Sequence, residues 1–230
     1  MLLSPVALHI PDGFLTLIVS LIFWVVTLVM IGFSISKTNK SLGEKQIPLM
    51  GIMAAFIFAA QMLNFPVAGG TSGHFLGGAL AAIVLGPWAG ILVMTAVIAV
   101  QGFLFQDGGL LVMGANIFNM GILTAAIGFG LYRTVSNRNT TLRLTVAGVA
   151  AWLATMGAAL FTSLQLWLSS TSRLEIVVPT MLGVHALIGV GEAIITVAAM
   201  AFIERTRPDL LSAEKSAVSG GRGWIYAGIP

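Results

Sequence analysis

His9-Ile10-Pro11-Asp12-Gly13-Phe14-Leu15 stands at the head of the first long apolar run, which extends over 14–35. A histidine and an aspartate lie beside a Pro–Gly turn signal at the mouth of what reads as a membrane helix. The reading of the whole chain turns on that boundary. If the run after it is a span, the histidine sits at a membrane surface, and the other histidines can be placed relative to it.

Composition supports the span. Of 230 residues, 57% are hydrophobic and 8% charged, with a mean hydropathy of +1.00. Soluble domains carry about a quarter charged residues, so this chain reads as an all-α integral membrane protein whose length is taken up by spans. The net charge of +3 comes from few groups; it speaks of topology, and no nucleic-acid partner is expected. Cysteine is absent, which excludes disulfides, thiolate metal sites and thiol catalysis. The first eight residues lack the basic start of a standard signal peptide.

Seven apolar runs bounded by polar or Gly/Pro punctuation predict spans near 14–35, 47–65, 74–86, 88–105, 110–132, 142–168 and 179–203. The third is short, and Gly86-Pro87 separates it from the fourth as a helix stop followed by a helix start. A tilted or partly inserted helix is the alternative for that run. Threading seven spans from an outer N-terminus puts Lys37, Lys40, Lys45, Arg133, Arg138, Arg143, Arg205, Arg207, Lys215 and Arg222 inside and only Arg173 outside. That is the positive-inside pattern, and six or eight spans would scatter these residues. Residues 1–204 are expected to form one transmembrane domain and 205–230 a cytoplasmic tail.

The same topology places His9, His74 and His185 toward the outer end. Gln101, Asn116 and Asn119 lie near that end of spans four and five, with Asp107 in the turn between them. Polar side chains in spans face the protein interior or a cavity, so the outer half is expected to hold a polar pocket. Neutral imidazole suits nickel, cobalt, copper and zinc. The competing reading is that each histidine caps a loop or rests at headgroup level, and the residues leave both open. Thr71-Ser72-Gly73-His74 reads either as hydroxyls orienting a ligating imidazole or as an ordinary loop with an N-cap for span three. Asn116 and Asn119, three apart, share a helix face and serve either the pocket or interhelical bonding. His185 and Glu192 also share a face. Glu192 lies about 20 Å down the helix from Pro179, too deep for direct contact with outer groups, which suggests a buried partner or a coupling element.

Small residues recur at four-residue spacing, Gly51, Ala55, Ala59 and Gly73, Gly77, Ala81. They serve packing within the chain or docking to another membrane subunit. No Walker-type phosphate loop, His-Glu-x-x-His or Gly-x-Ser-x-Gly occurs, so an ATP-driven process would need a separate subunit.

His9 to Phe14, Gly69-Gly70-Thr71-Ser72-Gly73-His74, Gln106-Asp107-Gly108-Gly109 with Asn116 to Asn119, and His185 with Gly189 to Glu192 together resemble the CbiM/NikM family. These are the substrate-binding membrane components of energy-coupling factor transporters for cobalt and nickel. The resemblance runs over nearly the whole chain, with four motifs in order. It implies seven helices, a six-helix substrate-component core plus an extra N-terminal helix. It implies a transported Co²⁺ or Ni²⁺ near the outer face, no organic cofactor and no enzymatic activity of this chain. The implied donors are the amine of a mature terminus at Leu8, the backbone nitrogen and imidazole of His9, and the imidazole of His74. Thr71, Ser72, Gln101, Asn116, Asn119 and His185 stand around them. Four nitrogens suit a square-planar Ni²⁺.

Family members begin Met-His, whereas Met1 to Leu8 precede His9 here; removal of that lead, or initiation at a leucine codon for Leu8, would supply the amine. The implied partners are ATPase subunits, a transmembrane coupling subunit and a small auxiliary membrane subunit, in a bacterial or archaeal plasma membrane. That auxiliary component is sometimes fused at the C-terminus; Gly220 to Pro230 resembles the start of a further segment that stops, so a separate small subunit is expected. The remaining alternatives are a membrane-embedded metal-dependent enzyme, with Asp12 or Asp107 as its carboxylate, and a metal sensor.

Overall fold

The computed structural model describes residues 9–41, 46–62, 64–67 and 71–208. Leu8, Lys45, Gly69, Gly70, Lys215, Arg222 and the segment Gly220 to Pro230 lie outside the described residues.

Eight α-helices and one short hairpin make up the described chain. Helix α1 is Leu17–Ser41 and α2 is Gln46–Gln61. Strands β1 (Asn64–Val67) and β2 (Thr71–His74) pair antiparallel, with Asn64 opposite His74. Helix α3 (Gly78–Leu85) and α4 (Pro87–Phe105) follow, with Pro87 opening α4, the position where its missing N–H is harmless. Helices α5 (Met113–Ile117) and α6 (Thr124–Tyr132) are joined by a π-helical segment, Phe118–Leu123. Helix α7 is Thr140–Leu168, capped by Asn139 accepting from Leu142 N–H at 2.9 Å, and α8 is Leu174–Thr206.

Among the described residues, five stretches are long and apolar enough to cross a membrane: Leu17–Lys40, Pro87–Phe105, Met113–Tyr132, Thr140–Leu168 and Leu174–Thr206. The second run is the shorter helix Ile47–Gln61, ending before 65 because the chain turns into β1. The third run departs most from expectation. Only Gly78–Leu85 is helical, about 12 Å at 1.5 Å per residue, and His74 ends a strand instead of opening a helix. The cap of α3 is Gly77 in a left-handed conformation with no side-chain cap bond, so the alternative reading of Thr71-Ser72 as an N-cap is not met. The seventh run begins at Leu174 and carries Pro179 within it; so near the helix start, proline forfeits a single intrahelical bond.

Helix α3 is the centre of the bundle. Gly78 through Val84 are all buried, packed by α4, α6 and α7. Around it lie Met53, Ile57, Met94, Ile98, Ile117 and Met200. Helices α7 and α8 pair along their length, and α1 lies on α4 and α5. The outward faces of α1 (Ile18, Val25, Val29) and α8 (Leu187, Ile194, Phe202) are exposed and apolar, as lipid-facing surfaces are. The two small-residue stripes divide. Ala81 is buried and Gly77 abuts Ile57, whereas Gly51, Ala55 and Ala59 are exposed on α2.

The bundle has two chemically distinct ends. One holds Lys37, Lys40, Arg133 and Arg205, where α1, α6 and α8 finish, together with Arg143, bonded to Glu204 across the α7–α8 pair. The other holds the 9–16 stretch and the 106–112 turn, and there Thr16 N–H donates to Ser169 Oγ at 3.1 Å.

Candidate functional site

The 9–16 stretch is a strap laid over the start of α5. Asp12 provides its anchor. Its carboxylate accepts from Leu110 N–H at 3.1 Å, Leu111 N–H at 2.9 Å and Val112 N–H at 3.3 Å, satisfying donors ahead of a helix that has no side-chain N-cap of its own. Asn116 then grips Ile10 from both sides, accepting from its N–H and donating to its carbonyl, each at 3.1 Å. Gly109 N–H donates to the same carbonyl at 3.0 Å.

This close approach requires glycine. A Cβ on Gly109 would strike Asp12, and one on Gly108, which also has φ +89°, would come within 2.7 Å of His9 Cβ. Helix α1 continues the contact, with Trp24 Nε1–H on Leu111 O at 2.8 Å and Thr27 Oγ1–H on Gly114 O at 2.7 Å.

The strap buries His9 against the turn after α4. Its backbone N–H donates to Asp107 Oδ1 at 3.3 Å and its Nδ1–H to Asp107 O at 3.2 Å. His74 comes from the other side at the end of β2. The two rings meet edge to face, with centroids 5.0 Å apart and planes at 71°. His74 Nδ1–H donates to Phe75 O at 2.8 Å. A carbonyl oxygen can only accept, so in both rings Nδ1 carries a proton. His9 Nε2 is buried with no hydrogen-bond partner among the described residues. Burial pulls the His9 pKa down to about 4, against the opposing effect of the hydrogen bond to the Asp107 backbone, so the ring is neutral at pH 7. An imidazole whose Nδ1 is fixed on a backbone carbonyl is the arrangement in which histidines bind a divalent metal through Nε2, and both rings have it.

The other expected site residues separate. Gln101 is completely buried, and neither polar atom of its side chain has a partner among the described residues. Its backbone oxygen accepts from Asp107 N–H at 3.1 Å, so it lies directly under the turn that holds His9. Asn116 binds the strap through Ile10. Asn119 turns to α7, where its amide donates to Thr162 Oγ1 at 3.1 Å and exchanges hydrogen bonds with Gln165 at 2.7 and 3.0 Å. The π-helical segment begins at Phe118, contains Asn119 and shifts the helical register there. For Thr71 and Ser72 the structure describes the backbone strand and not the side chains.

His185 donates from Nδ1 to Met181 O at 2.8 Å, within its own helix. Glu192 has the buried partner expected of it: its oxygens accept from Leu76 N–H at 2.8 Å and Gly77 N–H at 2.7 Å. Sequence reasoning missed Gln61, which donates to Leu76 O at 2.8 Å, and Gln165. Both are amides inside apolar runs, the signal that singled out Gln101.

The profile of the family described as "Cobalt uptake substrate-specific transmembrane region" matches residues 9–210. A protein of Haloquadratum walsbyi with a provisional name as a metal transport protein is 42% identical over 206 residues, covering 89% of this chain and 93% of that one. A protein of Archaeoglobus fulgidus, provisionally named as the fused nickel transport protein NikMN, is 40% identical, covering 93% of this chain and 70% of its own. A crystal structure of a truncated transition metal transporter superposes with a TM-score of 0.81 at 31% identity, over 86% of this chain and 98% of that one. With a buried histidine pair at one end of an apolar bundle, and a family match that spans strap, hairpin and all eight helices, the chain belongs to the CbiM family of cobalt and nickel transport components.

Proposed function

We propose that this chain is the substrate-binding component of an ATP-driven energy-coupling factor importer, taking Co²⁺ or Ni²⁺ as substrate at the His9–His74 end. The observation that carries the proposal is the ring pair itself. Both imidazoles are buried, both donate Nδ1–H to a backbone carbonyl, and the His9 Nε2 lone pair meets no protein donor among the described residues. Nitrogen donors of this kind favour late transition metals over magnesium or calcium.

The resemblance adds the His9 backbone nitrogen and an amine at Leu8. The His9 backbone nitrogen can share an ion only with Nδ1 of its own ring, and its N–H and Nδ1–H are on Asp107 Oδ1 and Asp107 O, so that chelate requires both bonds to be given up and replaces ligation through His9 Nε2. The amine requires a mature terminus at Leu8, read by mass spectrometry of the native protein; an intact Met1 on metal-loaded protein would remove that donor.

In this reading seven crossings are completed by α2 and by the extended lead into α3, the N-terminus is outside, and the protein sits in the plasma membrane of a bacterium or archaeon. The basic end then faces the cytoplasm, in keeping with the positive-inside rule. The exposed Gly51, Ala55 and Ala59 face of α2 is the candidate contact for the transmembrane coupling subunit, and partner ATPases drive release. A small auxiliary membrane subunit completes the proposed set of partners. Transport is favoured over a metal-dependent hydrolase by the family match, and Asp12 is already held by three backbone N–H groups.

The test is uptake of labelled Co²⁺ and Ni²⁺ by cells carrying the full set of subunits. His74→Ala is expected to abolish uptake, and unchanged uptake would remove His74 from the mechanism.

A further inference from the structure

Glu192 is a carboxyl group near the middle of a 33-residue apolar helix, 2% exposed. Such a group is costly in a membrane span, and the proposed metal site does not use it directly. What it touches is the link that joins His74 to α3. Its two oxygens accept the N–H groups of Leu76 at 2.8 Å and Gly77 at 2.7 Å.

From the opposite side Gln61 donates to Leu76 O at 2.8 Å, and the His74 ring itself donates to Phe75 O. The backbone of this link is thus held by side chains from α2 and α8 and not by regular secondary structure. Packing permits little slack. A Cβ on Gly77 would come within 2.8 Å of Ile57, and one on Gly78 would strike Thr124 and Met120 O.

We propose that Glu192 is a positioning residue for the metal site, fixing through Leu76 and Gly77 where the His74 imidazole stands relative to His9. This rests on the reading of His9 and His74 as the ligand pair. Leu76 is two residues from His74, at most about 7 Å of chain, so a shift of the link reaches the ring almost undamped. Metal–nitrogen distances tolerate only about 0.2 Å. Two adjacent N–H donors need two acceptors on one side chain, and the two carboxyl oxygens of Glu192 supply them. Glutamine fills the same volume but turns an NH₂ toward one of the N–H groups. Glu192→Gln therefore loosens the link without emptying the site.

The experiment uses the full chain in nanodiscs, titrated with Co²⁺ and Ni²⁺, with the visible spectrum of bound Co²⁺ as a report on ligand geometry. Glu192→Gln is expected to weaken Co²⁺ binding roughly tenfold or more and to move the spectrum toward that of His74→Ala. Gln61→Leu, which releases the other side of the same link, is expected to move it in the same direction by less, and it serves where Glu192→Gln does not fold. A lowered unfolding midpoint with wild-type affinity and spectrum in the folded protein would make Glu192 a purely structural residue and overturn the proposal. A wild-type chain that binds neither ion would sink the metal-site reading itself; a wild-type chain that binds, beside variants that bind identically, sinks only the positioning role.

Discussion

Asp12 Oδ1 accepts the backbone N–H of Leu111 at 2.9 Å across 99 residues of sequence, and this bond ties the strap carrying His9 to the start of α5. The same carboxylate also takes Leu110 and Val112. Asp12→Ala leaves those donors to solvent and frees the strap. The expected loss is about 1–2 kcal/mol of stability, as for other helix caps, with weaker Co²⁺ binding, read by thermal unfolding and by titration on one preparation. Binding that survives the substitution intact would mean the strap is not what holds His9.

Gly13 and Gly108 make a matched pair. Both have left-handed backbones, at φ +88° and +89°, but a Cβ on Gly13 meets nothing within 4 Å, whereas one on Gly108 meets His9 Cβ at 2.7 Å. Gly13→Ala carries only the conformational cost, about 1–2 kcal/mol. Gly108→Ala adds a clash with the ligand-bearing residue. Only the second is expected to depress metal affinity, and equal affinities for the two variants would contradict the close approach.

Much of this architecture can be read in the sequence, because lipid imposes a simple rule on spans. The long apolar runs and the clustering of basic residues at one end follow from the cost of exposing polar groups to hydrocarbon. The 74–86 run misleads for a physical reason. Its apolar residues are buried by neighbouring helices, and composition alone does not separate a buried extended lead from a helical turn; the left-handed Gly77 and the Glu192 contact decide it. At the site, His9 and His74 announce themselves as rare histidines. The division of labour between Asn116 and Asn119 does not, because three-residue spacing on a regular helix puts both near one face, and Asn119 stands in the π-helical segment and faces α7.

Gln101 allows a prediction with two opposite signs. A buried amide with neither atom bonded costs on the order of 1–3 kcal/mol, and methionine fills a similar volume without that cost. Gln101→Met is expected to raise the unfolding midpoint. Beneath the Asp107 turn, the same change is expected to weaken Co²⁺ binding, as function-linked destabilising groups do. A stabilised variant with unaltered affinity would exclude Gln101 from the site.

The buried His9 gives the metal-free protein a defined pH response. An imidazole titrates near 6.5 in the unfolded chain and at about 4 here. As pH falls, the unfolded chain takes up its proton first. This contribution to stability is therefore fully present above about pH 6.5 and is lost as pH falls toward 4, by on the order of 2–3 kcal/mol. In unfolding measurements between pH 4.5 and 7.5, His9→Gln is expected to flatten the acid-side decline. Parallel curves for the two proteins would show that His9 does not carry it.

The reciprocal amide pair of Asn119 and Gln165 is suited to a double-mutant cycle. Each side chain bonds the other between the π-helical segment and α7, so removing Asn119 orphans the Gln165 amide and removing Gln165 leaves Asn119 Oδ1 unpaired, with only its bond to Thr162 kept. Asn119→Leu and Gln165→Leu are each expected to lose about 1–3 kcal/mol. The double variant should lose clearly less than the sum, because no unpaired amide remains, giving a coupling on the order of 1 kcal/mol. Additive losses would mean that the two amides do not depend on one another. Because Asn119 faces α7 and not the His9–His74 pair, the double variant is also expected to bind Co²⁺ within about twofold of wild type, less than the roughly tenfold penalty of disturbing residues that orient metal ligands. A tenfold loss would return Asn119 to the surroundings of the metal.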